Sequence, residues 1–258
     1  MNPLILSLGP FTLRWYGLMY VLALLFGAWL VNKECKRKNL PITNDEVMNF
    51  ALICMFSGVF VARLYYVAFN WHFYGNYLWE IPKIWNGGLA IHGGMIGGLT
   101  GGLIFLSRHQ VPTWSFADAV SPSIMLGQVF GRFGNFMNGD AHGVPTDMPW
   151  GIIFPQESIA GNQFPDQPIH PVMLYELFLN LVWFSILRNL RYKEYKPGFL
   201  FCLYFILYSI GRVVVSGYRA DSLWVGSIRA AYLASFLLIV VFGSIIAFGR
   251  LWQTSKPE

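Results

Sequence analysis

Arg63, Arg132 and Arg212 stand inside stretches that are otherwise apolar enough to cross a bilayer. At about 2.5–3.5 kcal/mol each on insertion scales, three such residues cost about 8–10 kcal/mol unless something offsets them. A guanidinium carries five N–H donors in a planar fork that fits phosphate or carboxylate oxygens two at a time. The chemistry on offer is therefore anion binding within a membrane. Glu176 adds one carboxylate at comparable depth and Asp140 a second at the rim. The arginines still outnumber them, which favours an anionic ligand over an ion-pair network that only specifies helix packing.

Local spacing supports a site. Arg132 and Asn135 are i and i+3, so they share a helix face, flanked by Gly131 and Gly134. That helix is expected to end at Asn138-Gly139, where glycine suits a left-handed cap. Tyr208, Arg212 and Ser216 form an i, i+4, i+8 stripe, in which Tyr208 serves either as an interfacial belt residue or as a hydrogen-bond donor to a headgroup. Tyr16 and His92 enter the same layer from other stretches. His92, next to Gly93 and Gly94, is either a structural histidine or an acid–base group. Asp140, His142 and His170 match no compact metal-site spacing, so neither a metal nor another cofactor is expected.

The elements that must position these residues are transmembrane helices. Of 258 residues, 55% are hydrophobic and 12% charged, against about 25% charged in soluble domains. The chain is expected to be an all-α polytopic membrane protein, a single domain over residues 1–258. Seven spans are placed at 11–32, 48–69, 88–107, 117–138, 171–190, 198–218 and 229–250, each near the length a bilayer requires. The loops of one side hold eleven Lys and Arg residues and those of the other four, with none in 139–170. The positive-inside rule then sets the N-terminus outside and the C-terminus in the cytoplasm. Arg63, Arg132 and Arg212 fall roughly 9 Å below the outer hydrocarbon boundary at 1.5 Å per residue.

The net charge of +5 is a topology signal, and nucleic-acid binding is not expected. No basic segment precedes the first apolar run, so no cleavable signal peptide is expected. Cys35, Cys54 and Cys202 form no CxxC pair and imply no disulfide framework. Gly93, Gly94, Gly97, Gly98, Gly101 and Gly102 make two GxxxG rows, fitting either a tight helix seam or a groove for a lipid chain. The proline-rich 139–170 loop, carrying Trp150, Ile152, Ile153 and Phe154, is expected to form an ordered cap over the outer face.

Several stretches together resemble one family: Arg14-Trp15-Tyr16-Gly17-Leu18-Met19-Tyr20, Ile91-His92-Gly93-Gly94, the run from Gly131 to Gly139 (GRFGNFMNG), His170-Pro171 with Leu174-Tyr175-Glu176, and Tyr208 with Arg212 and Arg219. The chain is similar, in order and over its whole length, to the bacterial prolipoprotein diacylglyceryl transferases. The resemblance implies transfer of the diacylglyceryl group of phosphatidylglycerol to the lipobox cysteine thiol of prolipoprotein signal peptides, with release of glycerol 1-phosphate. It implies a multi-pass protein of the bacterial plasma (inner) membrane, among membrane lipids, with its active site in the outer half of the bilayer. Tyr16, His92, Arg132, Asn135, Gly143, Tyr208 and Arg212 match positions that the family treats as functional, and Asn138 and Asp140 fall in the same signature.

Two positions depart from the family's pattern: Asp140, where Glu is common, and Ser216, where a Glu usually follows the arginine by four. On this reading Arg132 and Arg212 stabilise the departing phosphate, with Arg63 a further contributor. His92 either takes the thiol proton or hydrogen-bonds the lipid, and Tyr16 or Asn135 places the lipid. A membrane transporter of an anionic lipid or small anion would also carry arginines in a cavity, but no repeat between halves is visible in the sequence. A retinal protein is excluded because no span holds a lysine.

Overall fold

The structure, a computed structural model, describes residues 4–8 and 11–254, without the side chains of Ser7, Leu8 and Phe11. It divides into two compact units, one of Met1–Leu30 with Ala117–Glu258, the other of Val31–Phe116.

The first unit opens with a hairpin, β1 (Leu4–Leu8) paired antiparallel to β2 (Phe11–Arg14). Helix α1 (Trp15–Arg37) follows directly and belongs to this unit as far as Leu30. The first expected span therefore begins four residues late. Residues 11–14 are strand, because their backbone groups pair with β1.

In the second unit a capping box starts α2 (Asn44–Phe69): the Thr43 hydroxyl accepts from Glu46 N, and the Glu46 carboxylate accepts from Thr43 N at 2.7 Å. A short helix α3 (Trp71–Tyr74) and two 3₁₀ turns, Leu78–Glu80 and Ile84–Asn86, lead to α4 (Ile91–Arg108). The glycine rows of α4 pack on α2. A Cβ at Gly93 would lie 2.6 Å from Tyr65 Cβ, and one at Gly97 2.6 Å from Val61 Cβ. Of the two readings of these rows, the tight seam is the one the structure contains.

The rest of the first unit is α5 (Thr113–Asn138, from Ala117 in this unit), α6 (Ile159–Gln163), α7 (Val172–Leu190), α8 (Phe199–Ser216), a hairpin β3 (Trp224–Val225) with β4 (Ile228–Arg229), and α9 (Ala230–Gly249). Met125, Leu187, Leu200, Tyr204 and Leu207 form a core joining α5, α7 and α8. The buried carboxylate of Asp118 on α5 accepts from Gly198 N and Phe201 N at 2.8 and 2.9 Å, capping α8 from another helix. Phe26 of α1 stacks on Phe130 of α5, and Phe242 of α9 on Phe205 of α8.

The 139–170 loop is ordered. It contains α6 and single bridges between Pro145 and Ile169 and between Ile152 and Ile169. Phe154, Ala160 and Ile169 pack with Val172 and Met173 of α7 and Val215 of α8. Each of the seven expected spans overlaps a helix, and the described residues are mainly helical, with two small antiparallel strand pairs among them. Among the described residues four helices, α1, α2, α8 and α9, are long and apolar enough to cross a membrane by length and composition.

Candidate active site

Glu176, one turn into α7 and 6% exposed, is the hub of a charge cluster in the first unit. Its Oε1 accepts from Arg212 of α8 at 2.8 Å and from Arg219 at 3.1 Å, and its Oε2 is paired with Arg132 Nε of α5. Arg132 Nη1 donates to Asn135 Oδ1 at 3.1 Å, one turn on, as the i, i+3 spacing requires. The other end of the Asn135 carboxamide donates to Asp140 Oδ1 at 2.8 Å and to Tyr16 Oη at 3.4 Å. One chain of contacts thus joins the start of α1, the end of α5, α7 and α8.

The backbone permits this assembly at two glycines. Gly139, at φ +70°, ends α5 in the left-handed region, its N–H donating to Asn135 O at 2.8 Å. This turns Asp140 back toward Asn135. Gly143 bridges to Arg219, and a Cβ there would lie 2.7 Å from His170 Cβ. Together with Val144 N to Tyr218 O at 2.9 Å and Ala220 N to His142 O at 3.2 Å, the bridge holds residues 218–220 against the loop and carries Arg219 in to Glu176. Asn138 lines an open cleft with Thr12, Leu13, Arg14, Tyr16, Gly17 and Asp140.

Arg219 and Asp221 were not expected in the site. Arg219 is only 6% exposed and forms a fork with Asp221, Nε to Oδ1 at 2.9 Å and Nη2 to Oδ2 at 2.6 Å. Burial pushes the Asp221 carboxyl up, but the Arg219 hydrogen bonds and charge outweigh it and hold it below the usual range. Burial likewise opposes the Arg219 charge, yet Asp221 and Glu176 keep it firmly protonated. The available sequence signal was the seven-residue step from Arg212 to Arg219 with an acid two positions later.

Ser216 lies one turn after Arg212, at the end of α8. It is 1% exposed, and its hydroxyl donates to the Arg212 carbonyl oxygen at 2.6 Å. Tyr208 lies one turn before Arg212, its ring stacked on Tyr204. Arg212 keeps donors in reserve: among the described residues only its Nη1 has a partner, and its side chain is 25% exposed.

Arg63 and His92 belong to the second unit. All five Arg63 N–H groups are taken by backbone carbonyls: Nε by Ile81, Nη1 by Gly87 and Gly88, Nη2 by Glu80 and Lys83, at 2.5–3.5 Å. The buried charge expected to meet an anion is met here by carbonyl dipoles, and the residue clamps the loop between α3 and α4. His92 is in the first turn of α4, exposed, its ring centroid 6.3 Å from that of Tyr65. Among the described residues no three His, Cys, Asp or Glu side chains gather in a metal-holding group.

Residues 3–248 match the family described as prolipoprotein diacylglyceryl transferase. Proteins named phosphatidylglycerol–prolipoprotein diacylglyceryl transferase are similar along nearly their full lengths. That of Thermosynechococcus vestitus is 40% identical over 258 residues, covering 98% of this chain and 93% of the relative. That of Geobacillus kaustophilus is 42% identical over 239 residues, 92% and 88%. That of Staphylococcus epidermidis is 39% identical over 261 residues, 100% and 92%.

Proposed function

The chain belongs to the prolipoprotein diacylglyceryl transferase family, and from that premise we propose how its residues carry the reaction. It is a transferase of the first step of lipoprotein maturation, with phosphatidylglycerol as donor and a prolipoprotein as acceptor. In the step proposed, the lipobox cysteine sulfur attacks the glycerol carbon bonded to the phosphate oxygen. The C–S bond forms, the C–O bond breaks, and glycerol 1-phosphate leaves with the electron pair while the thiol proton passes to a base.

The bound phosphodiester carries one negative charge and the departing phosphate nearly two. Donors that gain interaction as this charge develops lower the barrier, whereas a uniform grip on the ground state does not. The unspent N–H groups of Arg212 are the observation that carries the assignment: Glu176 orients the fork and leaves most of it free. Arg132 is the second such group, Asn135 and Tyr16 place the lipid, and Tyr208 contacts it below the phosphate. Asn138 and Asp140 border the entrance. His92 is the candidate base for a thiol whose ordinary pKa is about 8.5. Gly143 and Arg63 act through backbone geometry, the first by bringing Arg219 in and the second by holding its loop.

We place the reaction in the outer half of the bacterial inner membrane, in a single domain of seven spans with the N-terminus outside and the C-terminus inside. The division of basic residues between loops supports this orientation. Thiol labelling in a cysteine-free background tests it. Glu157→Cys, at an exposed position, should label in intact cells, and Asn39→Cys only after permeabilisation. The reverse pattern would invert the topology. The chemistry is tested by Arg132→Lys and Arg212→Lys, which keep charge but lose the fork. Each should slow transfer about 100-fold, from the loss of one strong directed donor set. Parent rates in both would reduce the arginines to diffuse charge.

A further inference from the structure

Polar side chains continue along α7 and α8 beyond the arginine cluster. Asn180 lies one turn past Glu176, and Tyr208 one turn before Arg212; the four line one narrow cleft with Leu179 and Gly211. Asn180 is only 7% exposed. Among the described residues neither its carboxamide nor the Tyr208 hydroxyl has a hydrogen-bond partner. Behind Gly211 the indole N–H of Trp183 is buried and also unpaired. A Cβ at position 211 would sit 3.0 Å from that nitrogen, so the glycine lets α7 and α8 close together there. Water does not satisfy such groups within a bilayer, and helix interiors rarely leave them idle.

We propose that this cleft reads the ester carbonyls that link the acyl chains of the donor lipid to glycerol. The proposal rests on the reading of the chain as a phosphatidylglycerol-dependent transferase. One helical turn, about 5 Å, separates the arginines from Asn180 and Tyr208, comparable to the separation of phosphate and ester carbonyls in a glycerophospholipid. Ester carbonyls are acceptors only, and the cleft offers the Asn180 amide N–H and the Tyr208 phenol O–H. Apolar side chains would bury an acyl chain equally well, so the unpaired donors point to the linkage and not to the chain. Thiol attack leaves the esters intact; their recognition therefore positions the reacting carbon and selects the donor. A lipid with ether linkages presents the same phosphate and chains but no carbonyl, and leaves the donors unpaired.

The test compares dialkyl-ether and diacyl phosphatidylglycerol of equal chain length, with purified full-length protein and a lipobox peptide. Thioether formation is followed by mass spectrometry, which reads either product. The parent should favour the ester lipid about ten- to hundredfold in kcat/KM, mainly through KM, the size of one or two lost hydrogen bonds. Asn180→Leu should narrow the ester preference, lowering the ester rate more than the ether rate. Tyr208→Phe, which removes one O–H and keeps the ring, should narrow the preference in the same direction. Equal use of both lipids by the parent overturns the proposal, as does an Asn180→Leu loss that is the same for both. No transfer from either lipid by the parent would overturn the assigned activity, and this inference with it. Should Asn180→Leu not fold, thermal shifts of the parent with each lipid decide: a larger shift with the ester lipid supports the proposal, and equal shifts overturn it.

Discussion

Glu176→Gln removes one negative charge from the cluster with almost no change of shape. The side chain is 8% exposed and holds Arg212 at 2.8 Å, Arg219 at 3.1 Å and Arg132. Breaking a buried ion pair by removing one partner costs about 3–5 kcal/mol. Three features reduce that here. Arg132 and Arg212 are 22% and 25% exposed and so partly screened, Arg219 keeps its Asp221 fork, and the glutamine carbonyl still accepts hydrogen bonds. A loss of about 2–3 kcal/mol remains, or about 5–10 °C in Tm for a chain of this size. The assay is thermal unfolding in detergent, with no lipid, with phosphatidylglycerol and with uncharged diacylglycerol. The deficit should be full without lipid and with diacylglycerol. It should shrink with phosphatidylglycerol, whose phosphate replaces the missing anion and stabilises the variant by linkage. An unchanged Tm, or the same deficit in all three conditions, would refute the view that Glu176 counterbalances arginines otherwise facing the donor phosphate.

His92→Gln should leave fold and lipid-induced stabilisation intact and slow thiol alkylation, most at low pH where little free thiolate exists; a parental rate from pH 6 to 8 removes the base role. Asp221, held below the usual carboxylate range, contributes stability that is present above about pH 4 and lost as pH falls through its lowered value. Asp221→Asn should therefore flatten the acid limb of a Tm-against-pH curve, and an unchanged limb refutes the pairing. Ser216→Glu should destabilise by about 2 kcal/mol or more, because a larger charged group must enter a site 1% exposed and break the bond to the Arg212 carbonyl; a parental or raised Tm would show that the helix opens to admit it.

Apolar runs made the long helices legible because a bilayer-length helix announces itself in composition, and Gly139 announced the end of α5. The pairing of Leu4–Leu8 with Phe11–Arg14 was not legible, since it depends on a partner strand and these residues are as apolar as the span that follows. The Arg132–Asn135 face followed from helical spacing. Arg219 was quoted with Tyr208 and Arg212 but given no role in the site, because nothing local reveals that Gly143, distant in sequence, pairs with it and draws residues 218–220 inward. Arg63 shows the opposite limit. Its apolar setting was legible, but its partners are the carbonyls of residues 80–88, which any sequence supplies. Asp118 was passed over for a related reason: an acid within an apolar run gives no hint that it caps a different helix.

Mass analysis of a lipobox peptide incubated with the purified protein and phosphatidylglycerol tests the central claim most directly. The account predicts that the cysteine gains one diacylglyceryl group through sulfur and that glycerol 1-phosphate appears mole for mole. An unmodified cysteine, or acyl groups transferred singly without glycerol phosphate release, would contradict it.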